Sequence, residues 1–521
     1  MSDRETILKM LADCERASPY VSAATPAAAD DAPCIVERTY GADTDIVVIS
    51  DLHMASGRRA DGNYEGTENF FADDALVRFV RNTRENLRSR RKKGVLVVNG
   101  DFVDLLRVVR VPAEPEELSA WKEVLDAIGL VNVRTDAPFT IDELRDSIDK
   151  REEKFGLKTN DYKSIWKLAT VVEGHLPVFE GLAAWLNEGN ELIITKGNHD
   201  LEWLWRGVRD YLRLVLWQLM IAADPAGKAS IAGKILFIDD ALLINKHLYI
   251  EHGQRYDPWT RVIGSPTLGK SSDRELNIPM GSFMNRYLIN QMEEIYPFFD
   301  NIRPQEDILP VLMREHFGLG MSVLFRSIPM ALRLIPKRYF RFFLRRVLPM
   351  LLGIVIPLVT LAIVFYRPIV DWVTSAKPFF DSIPLSGTII SSVVPGVLMY
   401  FVSKIIASMQ ISEPGSLRTQ AFGIGMGSDE YDVIVMGHTH NPEQFTFSRG
   451  GGKGFRYFNT GTWIPVVETS SVDIREDKTY TYLHFTPSPG PGGNTTFSAP
   501  ALERWDDEAG RGEPLRLVAT P

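Results

Sequence analysis

Three observations predict an α/β fold with a large helical insertion. Short apolar runs at 46–50, 95–98, 192–195 and 433–436 alternate with helical patterns such as 71–91 and 163–188. Each run ends in a polar fragment: Asp51-Leu52-His53, Gly100-Asp101, Gly197-Asn198-His199-Asp200 and Gly437-His438-Thr439-His440. The alternation then lapses between a fifth fragment, His252-Gly253, and Gly437. Continuous β-branched runs bounded by glycine read as strands buried on both faces, and their alternation with helices reads as α/β.

In chain order, residues 1–43 form a polar lead-in, rich in Ala and Asp near 23–32, with one short helix expected. Residues 44–256 form the first part of the α/β domain. Every polar fragment in it falls just past the carboxyl end of a strand, where open α/β sheets place their sites. Residues 257–430 form the helical insertion. Its basic stretch (Arg326, Arg333, Lys337, Arg338, Arg341, Arg345, Arg346) contains no acidic residue and suits a juxtamembrane anchor. Residues 347–366 and 383–403 carry no charge, which predicts two membrane segments, since a bilayer core needs about 20 apolar residues. Pro349 and Pro357 are tolerated in such helices. A paired crossing, or a hairpin dipping into one leaflet, returns the chain to the side it left. The basic flank then predicts an inner-membrane protein whose catalytic part faces the cytoplasm. Residues 431–487 complete the domain, and 488–521, with Pro489-Gly490-Pro491-Gly492-Gly493, read as a mobile tail.

Composition narrows the class. A chain of 521 residues with 45% hydrophobic and 24% charged residues is globular and long enough for more than one unit. The net charge of −9 argues against a nucleic-acid partner. Cys14 and Cys34 are the two cysteines, so neither a disulfide framework nor a thiolate metal site is expected, in keeping with a reducing compartment. No apolar run follows the first residues, so no cleaved secretory signal is expected.

Five of the nine histidines (His53, His199, His252, His438, His440) fall in the polar fragments. Imidazole with carboxylate and no thiolate suits Mn, Fe or Zn held for hydrolysis. Asp101 is the natural bridge between two cations, and Asn198 offers a neutral oxygen. Asp51 with His53, and His438 with His440, are spaced two apart and can each reach one cluster.

The order D-x-H, GD, GNH[DE], H, GHxH resembles that of the calcineurin-like metallophosphoesterase superfamily, over 44–256 and 430–485. The resemblance implies a sandwich of two mixed β-sheets flanked by helices. It implies two divalent or trivalent metal ions (Mn, Fe or Zn, with Mn favoured). Asp51, His53, Asp101 and His440 would hold one; Asp101, Asn198, His252 and His438 the other. His199 would stabilise or protonate the leaving oxygen, with Asp200 orienting it. The implied activity is hydrolysis of a phosphate mono- or diester by direct attack of a metal-bridging hydroxide.

Two departures narrow the subclass. After Gly100-Asp101 the chain reads Phe102-Val103-Asp104-Leu105-Leu106, without the Arg-Gly of protein Ser/Thr phosphatases. The UDP-2,3-diacylglucosamine hydrolases are similar in surrounding texture but usually carry arginine where this chain has His199. The insertion points to a lipid-linked or membrane-delivered substrate. A membrane-anchored enzyme for a soluble nucleotide-type ester, and a non-catalytic scaffold, are the competing readings. His175, His247, His316 and His484 are expected as core or surface histidines, and Asp104 and 459–463 as supports of the site. Arg58, Arg59 and Arg255 are open between substrate binding and solvation.

Overall fold

The computed structural model describes residues 3–22, 32–293 and 414–515, apart from short breaks at 60, 66, 226–229, 271–272, 451–452, 469–472, 475–477, 491–494 and 499. Between 294 and 413 it describes 302–303, 314, 317–322, 333 and 336–340. His316 and both expected membrane segments, 347–366 and 383–403, lie outside the described residues. Among the described residues no helix is long and apolar enough to cross a membrane.

The chain divides into two units: one of residues 1–298, 412–466 and 474–521, the other of 299–411 and 467–473. In the second, Ile302–Arg303 pairs in parallel with Val467–Glu468, and Phe317–Ser322 is a short helix.

The first unit is built on two mixed sheets. Its strands are β1 Ile35–Arg38, β2 Thr44–Ile49, β3 Lys93–Asn99, β4 Glu191–Thr195, β5 Ile235–Ile238, β6 Ala241–Ile244 and β7 Leu248–Glu251. After the insertion come β8 Val433–Met436, β9 Glu443–Gly450, β10 Lys453–Asn459, β11 Thr481–Phe485, β12 Glu503–Asp506 and β13 Arg511–Pro514. One sheet runs β13-β12-β11-β2-β3-β4-β5, with β2 to β5 parallel and β11 to β13 antiparallel. The other runs β1-β6-β7-β8-β10-β9, with β7, β8 and β10 parallel.

The alternation of side chains along each strand sorts the core into layers. Ile46 and Val48 of β2, Val95 and Val97 of β3, and Ile193 of β4 pack against Leu242, Leu248, Ile250, Val433 and Val435 of the other sheet. The intervening residues Val47, Ile49, Leu96, Val98 and Ile194 face helices α1 Asp73–Ser89, α2 Leu176–Asn187 and α3 Arg206–Ala223 through Phe79, Phe179 and Leu212. Leu417 and Ala421 of helix α4 Pro414–Gly427 cover the far face of the second sheet, against Ile434, Met436 and Tyr457. Strands buried on both faces explain the unbroken apolar runs: each such side chain contributes roughly 1.5–3 kcal/mol on burial.

Two boundaries differ from expectation. Residues 257–293 and 414–430 belong to the first unit rather than to a separate insertion. Residues 488–521 are not all a loose tail, because β12 and β13 extend the first sheet and Trp505 is buried in its core. The lead-in does hold one helix, Asp3–Ala17, with Leu11 and Cys14 in the same core.

Candidate metal centre

The five fragments converge at the carboxyl ends of β2, β3, β4, β7 and β8. His53 Nε2 stands 3.0 Å from His440 Nε2, 3.6 Å from Asp101 Oδ2 and 3.9 Å from Asp51 Oδ1. His440 Nε2 is 3.4 Å from Asp51 Oδ1. His252 Nε2 is 3.1 Å from the same oxygen, Asp101 Oδ2. Ligand atoms of Asp51, His53 and His440 lie within 4.8 Å of one another, as do those of Asp101, His252 and His438. His53, Asp101 and His199 form a third such group.

Backbone strain gathers at this point. Asp51, His53, Asp101, His438 and His440 all take left-handed φ angles between 51° and 71°. That conformation costs an L-residue about 1–2 kcal/mol, and clusters of it mark functional sites. The glycines of the fragments are steric necessities. A Cβ on Gly100 would lie 2.3 Å from His252 Nδ1, one on Gly197 2.0 Å from Asp101 Oδ1, and one on Gly437 2.6 Å from Asp51 Oδ2.

The imidazoles are aimed by their outward nitrogens. His252 Nδ1 donates to the Asn99 carbonyl at 2.8 Å, His53 Nδ1 to Asp104 Oδ2 at 3.4 Å, and His438 Nε2 to Asp257 Oδ2 at 3.3 Å. Each contact fixes a tautomer and turns the other nitrogen inward, as metal-ligating histidines require. One buried acceptor of the fragments is left over: Asn198 Oδ1 has no hydrogen-bond partner among the described residues. Buried polar atoms are rarely orphaned, and a bound cation would satisfy this one. The buried Asp and His donors are of the type and spacing to hold metal ions.

Charge points the same way. Asp51, Asp101, Asp104 and Asp200 are each at most 1% exposed, so four carboxylates are buried where isolated charges cost several kcal/mol. Burial pushes Asp101 up, but His252, His199 and His53 hold it well below the usual carboxylate range. Burial opposes the charged imidazole, yet Asp101 and Asp51 lift His252 to about 10, and Asp104 and Asp101 lift His199 to about 9. The cluster draws positive charge inward. His199, His438 and His440 keep 14%, 8% and 15% of their side chains exposed, which leaves one side of the site open.

The expected partner of His199 is not Asp200. The Asp200 carboxylate accepts from the Gly197 amide at 2.6 Å and the Phe102 amide at 2.9 Å, which ties the two loops together. Burial and Asp101 push it up to about 7. Asp104 takes the orienting place, with its Oδ2 2.7 Å from His199 Nδ1. Asp257 has no motif around it, and nothing in the sequence singles it out.

Residues 459–463 act as supports. Asn459 Nδ2 donates to the Gly437 carbonyl, and Thr462 Oγ1 and the Trp463 amide donate to the Asp51 carbonyl. His175 is a core histidine held between Glu68 and Asp73. His247 and His484 pair with Asp432 and Asp45. Arg58 and Arg59 engage Tyr64 and Glu65, and Arg255 lies over the Tyr256 ring.

No protein-family model matches the chain, and no curated protein matches it in sequence.

Proposed function

We propose that this chain is a dinuclear metal-dependent phosphoesterase of the calcineurin-like kind, hydrolysing a phosphate mono- or diester. The observation that carries the reading is the convergence of five separated fragments on three linked ligand groups, Asp51 with His53 and His440, His53 with Asp101 and His199, and Asp101 with His252 and His438, with Asn198 next to His199 in the third fragment. Two bound cations would polarise phosphoryl oxygens and make water nucleophilic near neutral pH. Mn is favoured, with Fe or Zn as alternatives, because imidazole, carboxylate and amide ligands accept all three.

The chain's own residues supply the rest. His199, held by Asp104 and on the open side of the cluster, is placed to give a proton to the leaving oxygen. The main-chain amide of His199 donates to Asp101 Oδ1 at 2.9 Å, and that of His438 to both oxygens of Asp51 at 3.2 Å. These bonds keep both carboxylates ionised and fixed in direction.

The uncharged stretches 347–366 and 383–403 and the basic run before them support a tether to the inner membrane. In this reading the site faces the cytoplasm and the substrate is lipid-linked or delivered at the membrane. The test is hydrolysis of bis(p-nitrophenyl) phosphate and p-nitrophenyl phosphate by purified full-length protein with Mn²⁺. Activity abolished by Asp101→Ala is expected; equal activity in that variant refutes the site.

A further inference from the structure

We propose that Glu293 is a positioning residue for the His199 imidazole, acting through Arg107 and Asp104. The inference rests on the phosphoesterase reading for its role in turnover, but its geometry stands by itself. Asp104 Oδ2 faces three donors: His199 Nδ1 at 2.7 Å, His53 Nδ1 at 3.4 Å and Arg107 Nε at 3.0 Å. Asp104 Oδ1 accepts from the Leu106 amide at 3.1 Å. Arg107 is the one permanent cation among these donors, and it is 1% exposed. Its Nη1 is paired with Glu293 Oε2, and Glu293 is wholly buried. A guanidinium is a rigid planar fork, so anchoring one prong fixes the direction of the other. Glu293, a charged partner of Nη1 beside the Thr67 carbonyl at 3.5 Å, thus helps set where Arg107 Nε points, and Arg107 sets where Asp104 meets His199.

The element that brings Glu293 here is built for this contact. A helical run begins at Met280–Met284, passes through a π-helical turn at Asn285–Ile289, and ends at Asn290–Glu293. It touches both site loops. Ser282 Oγ donates to the Asn198 carbonyl at 3.2 Å, and Asn290 Nδ2 to the Leu106 carbonyl at 2.8 Å. Each residue of an ordinary α-helix advances roughly 100° around the axis. A π turn changes that phase, and such turns recur at functional sites. The wider turn lets Ser282 face one loop while Asn290 and Glu293 face the other. By sequence alone this stretch reads as part of the insertion, apart from the chemistry.

The test uses full-length protein and two readouts. The first is the reactivity of His199 toward diethyl pyrocarbonate, read by peptide mass spectrometry with His247 as internal reference. The second is kcat and KM for bis(p-nitrophenyl) phosphate with Mn²⁺, with metal content measured alongside. Glu293→Gln should raise His199 reactivity severalfold and lower kcat about tenfold or more, with KM and metal content unchanged. Glu293→Asp should restore part of both. If Glu293→Gln does not fold, the double variant Arg107→Gln with Glu293→Gln, which leaves no lone buried charge, should show the same loosened His199. Unchanged His199 reactivity in a folded variant overturns the proposal. Wild-type protein without hydrolytic activity would overturn the phosphoesterase reading, while His199 reactivity would still decide the positioning role.

Discussion

Gly197→Ala adds a single methyl group at the centre of the proposed site. The Gly197 backbone is not left-handed, so alanine fits its torsion angles. On chain entropy alone the change should stabilise the protein by about 0.4–1 kcal/mol. Packing reverses the sign. The new Cβ would lie 2.0 Å from Asp101 Oδ1 and 2.5 Å from the Asp101 amide nitrogen, whereas comfortable contact is about 3.5 Å. The carboxylate must retreat by roughly 1.5 Å to reach that distance. That breaks its 2.9 Å hydrogen bond from the His199 amide, and a bond to a charged group contributes about 1.5–3 kcal/mol. The net expectation is a loss of about 1–2 kcal/mol. With Asp101 displaced, two of the three ligand groups lose a member, and a misplacement of this size costs about 10²-fold in rate. Urea denaturation and metal analysis of the purified variant provide the assay. A Gly197→Ala protein at least as stable as wild type, with full metal content, would mean that the Asp101 carboxylate is not held against Gly197.

Other outcomes are set by the same geometry. His199→Ala should lower kcat by about 10²–10⁴-fold, with metal content retained. Asp104→Asn should do nearly as much damage and Asp200→Asn should act through stability, a contrast that kcat and denaturation midpoints measured side by side will check. His175, held between Glu68 at 3.2 Å and Asp73 at 2.7 Å, has its pKa raised from 6.5 to about 9 by these carboxylates against the opposing effect of burial. Its folded pKa exceeds the unfolded one, so its contribution is complete below pH 6.5 and fades as pH rises to about 9. Urea midpoints in chelator should fall across that window, and His175→Gln should flatten the slope.

The site was legible because it is a strand-end site. Each fragment comes just after a run such as Val95-Leu96-Val97-Val98, whose residues alternate between two apolar layers and therefore announce a doubly buried strand. The first loop residues past such a strand are held rigidly, so ligand types there carry information. Interactions that depend on loop direction were not legible. Asp200 adjoins His199 in sequence, but the tight turn over 197–200 sends its carboxylate back to the Gly197 amide, and Asp104 reaches the imidazole from another loop. Arg107 did leave a trace, as a lone cation after Leu105-Leu106 and before Val108-Val109. Its partner Glu293 is 186 residues away and left none. The pairing of β12 with β11 was hidden by a Pro/Gly-rich approach at 489–493 that reads as a tail.

In the proposed site Asp101 joins two metal positions, and counting the bound ions decides whether it does. Inductively coupled plasma mass spectrometry on the full-length chain, purified and reconstituted with Mn²⁺, should find about two ions per wild-type chain. His53→Ala and His252→Ala should each lose one ion, and Asp101→Ala should lose both. A wild-type chain that takes up no ion, or an Asp101→Ala chain that keeps both, would contradict the account.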